Sequence, residues 1–508
     1  MTKSSTTSYF TIALLIFALA INSLAQQDIS GGASVLLASA DVEAKLGKGI
    51  FTPVQNKPHL NKTPDKKPVR RTVASSHPRS TGGGNRPTNS GNSGNRNTGN
   101  TRPAMDAEAY NKQGDDFFDT GKFDQASDSY QQAIKLRGDY AEAYLNLGET
   151  YFNLGRYDEA IAADDKAISL NLKTADAYRA LGLAHLQKND LADAVAALKR
   201  ANELNPNDAE VRSALGLAYY NQGAAAYNDK NYADAIARYQ EAIGVKHDYA
   251  EAYNNLGDTY RQLNKPAEAI DAYKHSVAIK VDTIEPYSSL SMMYDELGRY
   301  PEAVDAYKQV IRLKADDAEA NNNMGYALGK SKRWPEAVAA FQRAIQIKPD
   351  YAEAYSNLGW AYNNLGNFQA ALQPLKKAVE LKPSLPEGHF NIGITYSRLA
   401  QNSPDFKPQA LAEFQETIKL KPDWPAAQNN LGFAYGNLGK WKEAIAAHSE
   451  AVRLKPDYAG AYYNLGIAYL MSGDKKKATE QYEKLKPLSA NNAAALYQRI
   501  YNKPPPKK

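Results

Sequence analysis

The 508-residue chain contains no cysteine. That absence excludes disulfide bonds, thiolate catalysis, cysteine-ligated zinc and a lipid-modified N-terminal cysteine, and it is compatible with an oxidising compartment. The chain also lacks a His-Glu-x-x-His motif, a Gly-x-Ser-x-Gly motif and a Walker-type phosphate loop. Its seven histidines do not cluster in the sequence. We therefore expect a protein that is not an enzyme, with no catalytic residues, no metal site and no cofactor.

Long hydrophobic runs are absent too, except at the N-terminus. Lys3 precedes a 12-residue apolar run, Phe10–Ile21, and Ser23-Leu24-Ala25 then offers small residues at the positions that a signal peptidase reads. The run is shorter than the roughly 20 apolar residues that span a bilayer. Residues 1–25 are predicted to be a cleaved signal peptide, with an uncleaved anchor as the alternative. Cleavage leaves no membrane span and an extracytoplasmic protein, periplasmic or secreted.

Residues 26–105 have few large apolar side chains and are rich in Pro, Gly, Asn, Ser, Lys and Arg, as in Lys62–Arg71 (KTPDKKPVRR). So little apolar surface cannot offset the entropy of ordering, which predicts a disordered linker. The linker has 12 basic and 4 acidic residues, against 48 basic and 52 acidic in residues 106–508. We expect at most a weak contact of this linker with anionic surfaces. The folded part lacks the basic excess that nucleic-acid binding requires.

From residue 106 onward, a glycine marks a repeating unit of 34 residues, with Ser291 in the glycine position of one unit. The other markers are Gly114, Gly148, Gly182, Gly216, Gly257, Gly325, Gly359, Gly393, Gly432 and Gly466. When two breaks in spacing are allowed, an alanine stands twelve residues after the marker in all eleven units. A fixed period of this length is typical of stacked repeats.

Each unit is predicted to be a helical hairpin. Apolar residues four and one before the marker and three after it form one stripe of a helix. Residues that tolerate a left-handed conformation, such as Gly155 and Asn189, are expected to end the first helices. Asp248 and Asp350 are expected to cap the first helices that follow them.

This pattern resembles the tetratricopeptide repeat family, most completely in Ala354–Pro383 (AYSNLGWAYNNLGNFQAALQPLKKAVELKP). The resemblance covers residues 106–487. It implies an all-α, right-handed superhelical solenoid of about eleven helix-turn-helix repeats, in which each unit is buried against its neighbours. Residues 488–502 are predicted to form a C-terminal capping helix and residues 503–508 a tail.

The repeat spacing breaks twice. The interval from Gly216 to Gly257 is seven residues too long, which predicts an extended first helix from about Asp208 to Asn228. Gly223 lies 34 residues before Gly257, so later positions in this fourth unit are counted from Gly223. The interval from Gly393 to Gly432 is five residues too long, which predicts a surface loop at residues 401–408. Neutral drift and a functional role stay open for both.

Asparagine recurs two residues before the marker in eight units. These residues are Asn146, Asn221, Asn255, Asn323, Asn357, Asn391, Asn430 and Asn464. A side-chain amide carries donors and an acceptor, which suits a peptide backbone of either polarity. Ala180 and Ser289 occupy the same position in other units, so packing is not expected to require an amide there. The position resembles the asparagine row that lines the groove of the O-linked N-acetylglucosamine transferases. By that resemblance the amides from Asn255 to Asn464 face a concave groove and bind extended peptide; hydrogen bonding within their own helices is the alternative.

One residue after the marker, the C-terminal repeats carry an apolar series that includes Tyr326, Trp360 and Phe433. If this position also faces the groove, it adds an apolar stripe to the peptide-binding site; packing against a neighbouring helix is the alternative. The sequence therefore predicts an exported scaffold whose partners are other proteins or peptides. Two alternatives are a recognition or assembly subunit of an envelope complex whose enzyme is a separate chain, and an anchoring module that acts through the linker.

Overall fold

The computed structural model describes residues 105–502. The predicted signal peptide, the linker up to residue 104 and the tail at residues 503–508 lie outside the described residues. Between residues 105 and 502 the regular structure consists of 23 α-helices and one 3-10 helix, without a β-strand, so the all-α prediction is confirmed. None of these helices combines the length and the apolar character that a membrane span requires. The chain forms two compact units, whose described parts are residues 105–293, the N-terminal unit, and residues 294–502, the C-terminal unit.

The N-terminal unit holds five pairs of helices and most of an eleventh helix. In chain order they are α1 Ala107–Asp119, α2 Phe123–Leu136, α3 Ala141–Leu154, α4 Tyr157–Ser169, α5 Ala175–Lys188, α6 Leu191–Leu204, α7 Ala209–Asn228, α8 Tyr232–Val245, α9 Ala250–Gln262, α10 Pro266–Ile279 and α11 Ile284–Glu296. Each of the five first helices in these pairs packs on its own second helix, and α1, α3, α5 and α7 also pack on the first helix of the next pair.

The C-terminal unit begins within the last turn of α11 and holds twelve further helices. These are α12 Tyr300–Leu313, α13 Ala318–Lys330, α14 Trp334–Ile347, α15 Ala352–Asn364, α16 Phe368–Leu381, α17 Pro386–Leu399, α18 Lys407–Leu420, α19 Pro425–Asn437, α20 Trp441–Leu454, α21 Ala459–Met471, α22 Lys475–Leu485 and α23 Ala490–Tyr501. Along the chain the helices make eleven consecutive pairs and one final helix, which packs on both members of the last pair.

In most repeats the marker glycine lies where the two helices of a pair are in close contact, and in the fourth repeat Gly223, and not Gly216, has this place. A methyl group at Gly182 would lie 2.5 Å from Cγ of Leu198, and one at Gly257 would lie 2.6 Å from the ring of Tyr273. The alanine twelve residues after the marker is fully buried, as at Ala194. The core therefore runs as a layer between helices, as the small residues predicted.

The turns within the hairpins have the predicted left-handed residues. Gly155 has φ of 77° and Asn189 has φ of 63°. At both positions the next residue donates its N–H back to a carbonyl of the first helix, Arg156 to Tyr151 and Asp190 to His185. This geometry satisfies carbonyls that a helix end otherwise leaves open.

The predicted caps at Asp248 and Asp350 are wrong. The helices α9 and α15 begin one residue later than expected, so that Tyr249 and Tyr351 occupy the N-cap position without a side-chain cap. Both rings are buried at 5% and 6% exposure, and a lysine three residues earlier lies over each ring, at 4.5 and 5.0 Å. Asp208 and other residues do cap where that position is polar. Burial of an aromatic ring between repeats thus replaces capping where the position is aromatic.

Both breaks in spacing have the predicted structure. The helix α7 has 20 residues, Ala209–Asn228, and Asp208 is its N-cap. Seven inserted residues make nearly two full turns, so the buried side is preserved along the longer helix. Between α17 and α18 the extra residues form a loop with a 3-10 turn, Pro404–Phe406, whose Phe406 ring stacks on Tyr396 at 5.6 Å.

Candidate functional site

In the N-terminal unit, asparagines two residues before the marker connect successive first helices. Nδ2 of Asn146 donates to Oδ1 of Asn111, 3.1 Å away, and Nδ2 of Asn255 donates to the hydroxyl of Tyr220 at 2.7 Å. In both cases the acceptor lies 35 residues earlier, three residues before a glycine of the preceding repeat, Gly114 for Asn111 and Gly223 for Tyr220. Each bond therefore joins two neighbouring repeats.

The same connection recurs three times in the C-terminal unit. Nδ2 of Asn357 donates to Oδ1 of Asn322 at 2.8 Å, and Nδ2 of Asn391 donates to Oγ of Ser356 at 3.2 Å. Nδ2 of Asn464 donates to Oδ1 of Asn429 at 3.1 Å. We call this series, with Asn323 and Asn430, the amide row.

Two members of the amide row bond differently. Asn430 donates to the carbonyl of Ala426 within its own helix at 2.9 Å, because the position 40 residues before it is the apolar Phe390, which offers no acceptor. Oδ1 of Asn323 accepts from Nδ2 of the adjacent Asn322 at 3.2 Å. The within-helix bonding that was the alternative in the sequence analysis therefore holds for Asn430.

Most amides of the row form buried hydrogen bonds between repeats. The side chains of Asn323, Asn357 and Asn391 are fully buried, and Asn255 and Asn464 are 4% and 3% exposed. A buried amide without a partner costs about 1–3 kcal/mol, so these bonds favour one register between first helices. Because Ala180 fills the same position in the third repeat, the expectation that packing does not require an amide stays a prediction. Because an amide has two N–H groups and a carbonyl, one inter-repeat bond uses only part of its capacity. Its role in binding peptide stays a prediction.

The apolar series one residue after the marker is partly packed between repeats. Trp360 is 5% exposed; its ring meets Trp334 edge-on at 5.0 Å and stacks with Tyr326 at 6.0 Å. Tyr326 and Phe433 are half-buried. Trp360 therefore belongs to the packing between the seventh and eighth repeats, whereas Tyr326 and Phe433 keep exposed surface.

A small cavity lies in the tenth and eleventh repeats, beside the end of the amide row. Its lining includes Phe433, Trp441, His448, Asn464 and Ile467, and its volume of about 10 Å³ is close to what one water molecule requires. His448 occupies a position that other repeats fill with Phe341 or Tyr307. Aromatic side chains, Phe433 and Trp441, thus line one part of the cavity, and the polar side chains of His448 and Asn464 line another.

His448 and Asn464 form a hydrogen-bond network with a third side chain, Asn429. Complete burial lowers the pKa of His448 to about 3, so its ring is neutral at ordinary pH. Nδ1 of His448 lies 3.0 Å from Oδ1 of Asn429, an acceptor, so Nδ1 carries the proton and donates. Oδ1 of Asn429 also accepts from Asn464. This arrangement fixes the orientation of both amides.

Two buried atoms of this network have no hydrogen-bond partner among the described residues: Nδ2 of Asn429 and Oδ1 of Asn464. One is a donor and the other an acceptor, on first helices of adjacent repeats. Asn429 was missed as a site residue by the sequence analysis. Its signal was the recurrence of polar residues three before the marker, as at Asn322 and Ser356, which pair with the amide row 35 residues later.

Metal chemistry finds no support in the part of the chain that the structure describes. Residues 105–502 contain no group of three or more His, Asp or Glu side chains arranged to hold a metal ion. Buried carboxyls instead pair with tyrosines: the hydroxyl of Tyr273 donates to Asp258 at 2.7 Å, and that of Tyr307 donates to Asp295 at 2.8 Å. Burial raises the pKa of Asp258 to about 6 and that of Asp295 to about 7.

Comparison with known proteins identifies the repeat. Models described as TPR repeat and tetratricopeptide repeat match residues 114–155, 141–172, 184–223, 214–280, 293–332, 316–384, 437–473 and 459–492. Together these segments cover more than half of the 508 residues. No curated protein matches the sequence.

Three solved structures show the range of structural likeness. The crystal structure of MamA protein has 25% sequence identity and a TM-score of 0.32, covering 33% of this chain and 92% of that chain. Yeast Tom70 has 15% identity and a TM-score of 0.37, covering 78% and 95%. YrrB, described as a TPR protein with an unusual peptide-binding site, has 23% identity and a TM-score of 0.34, covering 38% and 96%. On the family matches and the paired helices, the chain belongs to the tetratricopeptide repeat family.

Proposed function

We propose that the protein is an exported scaffold that binds extended polypeptide segments along the first helices of its C-terminal unit. Membership of the tetratricopeptide repeat family supports a protein–protein interaction scaffold. Export rests on the predicted signal peptide at residues 1–25. The binding mode rests on one observation, the buried and unpartnered amide pair of Asn429 and Asn464.

The unpartnered atoms are the complement of a peptide group. Nδ2 of Asn429 offers an N–H to a carbonyl, and Oδ1 of Asn464 accepts from an N–H. Leaving either atom unsatisfied costs about 1–3 kcal/mol, which a bound backbone recovers. A water molecule in the cavity of about 10 Å³ is the competing partner, and it would give no affinity for peptide.

The half-buried Phe433 stands beside this pair and lines the same cavity as Trp441. An aromatic surface next to a polar pair is the composition of interface hot spots. We expect an apolar side chain of the bound segment to cover Phe433 while the adjacent peptide group reaches the amides. The remaining amide row would extend this contact toward Asn323.

The experiment is a selection of 12-residue peptides from a random displayed library on the full chain, followed by titration calorimetry of the selected peptides. We expect Asn429→Ala and Asn464→Ala each to weaken binding by about 5- to 100-fold, the equivalent of about 1–3 kcal/mol. The control is Asn437→Ala in the same helix as Asn429, which should leave affinity unchanged. Selection of no peptides, or equal affinity of all three variants, would refute the proposal.

A further inference from the structure

The second and third repeats lack a pairing that other repeats have. Elsewhere, a carboxylate in the first turn of a first helix pairs with a basic residue just after the second helix of the same repeat. Glu108 lies 2.5 Å from Arg137 in this way, and Glu251 lies 3.3 Å from Lys280. The position of this basic residue is occupied by an asparagine in the second repeat, Asn171, and in the third, Asn205. Carboxylates in these two repeats therefore lack the usual cation.

The carboxylates gather instead around one arginine. Arg179, 2% exposed, lies 3.4 Å from Asp176, 3.2 Å from Glu210 and 3.8 Å from Glu149. Exposed Glu142 makes no ion pair with any other described residue. We call these four carboxylates, together with Asp164, the acidic cluster. Burial raises the pKa of Asp164 well above its usual value, so the local excess of negative charge comes from the other four carboxylates, among which there is one guanidinium.

Asp164 adds an independent observation that points to a ligand. It is 1% exposed, and its Oδ1 has no hydrogen-bond partner within residues 105–502. It lines a cavity of about 10 Å³ together with Glu149, Phe152 and Leu183. Other repeats fill the same position with packing residues such as Leu198. A buried carboxyl group without a donor is costly unless a cation or a proton reaches it.

We propose that the acidic cluster binds a basic stretch of the chain's own linker, centred on residues 62–71. That stretch has five basic residues and one acidic residue. Phe152 and Leu183 are half-buried at the cavity, so a lysine stem can lie along them with its ammonium group at the outer edge of the cavity. Asp164 and Glu149, which are 1% and 3% exposed, line the cavity behind that edge. The proposal concerns the N-terminal unit and is independent of the peptide site proposed at Asn429 and Asn464.

The charges of the two units favour this location. Residues 105–293 hold 30 acidic and 19 basic residues, whereas residues 294–502 hold 22 acidic and 26 basic residues. The linker, with 12 basic and 4 acidic residues, is attracted by the first and repelled by the second. Once the linker is within about 8 Å of the protein surface, the Debye length at physiological salt, this difference in net charge between the units favours contact with the N-terminal unit.

The tether reaches the site. Thirty-five residues separate residue 71 from the start of α1 at Ala107. For a random coil of 35 residues, the root-mean-square end-to-end distance is about 30–35 Å. The cluster begins on α3 and α4, at most three helix layers from α1, which is about 30 Å at 8–10 Å per layer. Covalent attachment at such a span gives an effective concentration in the millimolar range.

The absence of native cysteine makes a direct test possible in the full chain. Spin labels at Thr72→Cys and Lys173→Cys report the distance from the linker to the acidic cluster by pulsed electron resonance. We expect a narrow short-distance population. Charge reversal of the linker (Lys66→Glu, Lys67→Glu, Arg70→Glu and Arg71→Glu) should abolish it, and so should Asp164→Asn combined with Glu142→Gln. Raising the salt to about 1 M, where the Debye length is about 3 Å, should also abolish it.

Three controls test whether the chain's own linker occupies the acidic cluster. Lys66→Arg with Lys67→Arg keeps the charge and should keep the short distance, and Glu353→Gln in the C-terminal unit should not alter it. A label pair at Thr72→Cys and Ser384→Cys should show no short-distance population. A short distance that appears only between singly labelled chains when mixed would assign the site to a second copy and overturn the proposal. A distance distribution unaffected by charge reversal would overturn it as well.

Discussion

Replacing Gly182 with alanine tests the close approach that defines the repeat. A Cβ at this position would lie 2.5 Å from Cγ, 2.9 Å from Cδ2 and 3.1 Å from the backbone nitrogen of Leu198. Carbon atoms pack best at about 3.5–4.0 Å, and the backbone atom cannot move without shifting helix α6. Overpacking of this kind costs about 1–3 kcal/mol, from which the better helix propensity of alanine recovers at most about 1 kcal/mol. We expect a net loss of about 1–2 kcal/mol.

Gly244 in the same unit is the matched control. It lies in α8, and a Cβ there would have no heavy atom within 4 Å. Gly244→Ala should therefore raise the free energy of unfolding by about 0.5–1 kcal/mol through helix propensity alone. Both substitutions are glycine to alanine, so the opposite signs of their effects on the free energy of unfolding follow from the space around each glycine.

A double-mutant cycle isolates the contact. Leu198→Ala alone should cost about 2–5 kcal/mol, because it leaves a cavity. In the double variant the new methyl of Gly182→Ala takes part of that space, so the combined loss should fall short of the sum by about 1–2 kcal/mol. Urea unfolding followed by circular dichroism gives the energies, and amide hydrogen exchange in α5 and α6 locates them. Equal effects at Gly182 and Gly244, or strict additivity with Leu198, would refute the reasoning.

Two further predictions concern buried polar groups. Asn357→Ala removes the 2.8 Å bond to Asn322 and should lower the free energy of unfolding by about 1–3 kcal/mol in urea melts; Asn364→Ala, which breaks only a bond within its own helix, should cost less than half as much. For Asp258, a folded-state pKa of about 6 lies above the usual 3.8, so the folded state holds the proton more tightly. The free energy of unfolding should therefore fall by about 3 kcal/mol as the pH rises from about 3 to about 7, relative to Asp258→Asn, which still accepts from Tyr273. A parallel pH dependence of the two proteins would contradict this assignment.

The helical repeat was predictable because it depends on local spacing. The glycine and alanine positions specify where two helices touch, and left-handed residues such as Gly155 and Asn189 specify where the first helix ends. The capping prediction at Asp248 failed because a nonlocal event, burial of Tyr249 beneath Lys246, competes with the local preference of aspartate for the N-cap. Local patterns cannot show which of two neighbouring residues will be buried by the next repeat.

The amide row was predictable as a pattern and not as a set of contacts. The recurrence of asparagine identified the position, but the partner lies 35 residues away at a position that varies between Asn322, Ser356 and Asn429. The exception at Asn430 follows from Phe390, and it becomes visible only once that pairing is known. Asp164 likewise stands at a position that other repeats fill with packing residues, and only the structure shows that it lies beside Glu149 and a cavity.

The most direct test of the proposed function measures backbone recognition itself. A peptide selected on the full chain is compared by titration calorimetry with analogues that carry a single N-methyl group at each backbone nitrogen in turn. We predict that methylation of one nitrogen weakens binding by about tenfold or more, because Oδ1 of Asn464 is then left buried without a donor, and that Asn464→Ala removes this sensitivity. Undiminished binding of every N-methylated analogue, or the same sensitivity in Asn464→Ala, would contradict peptide binding by these amides.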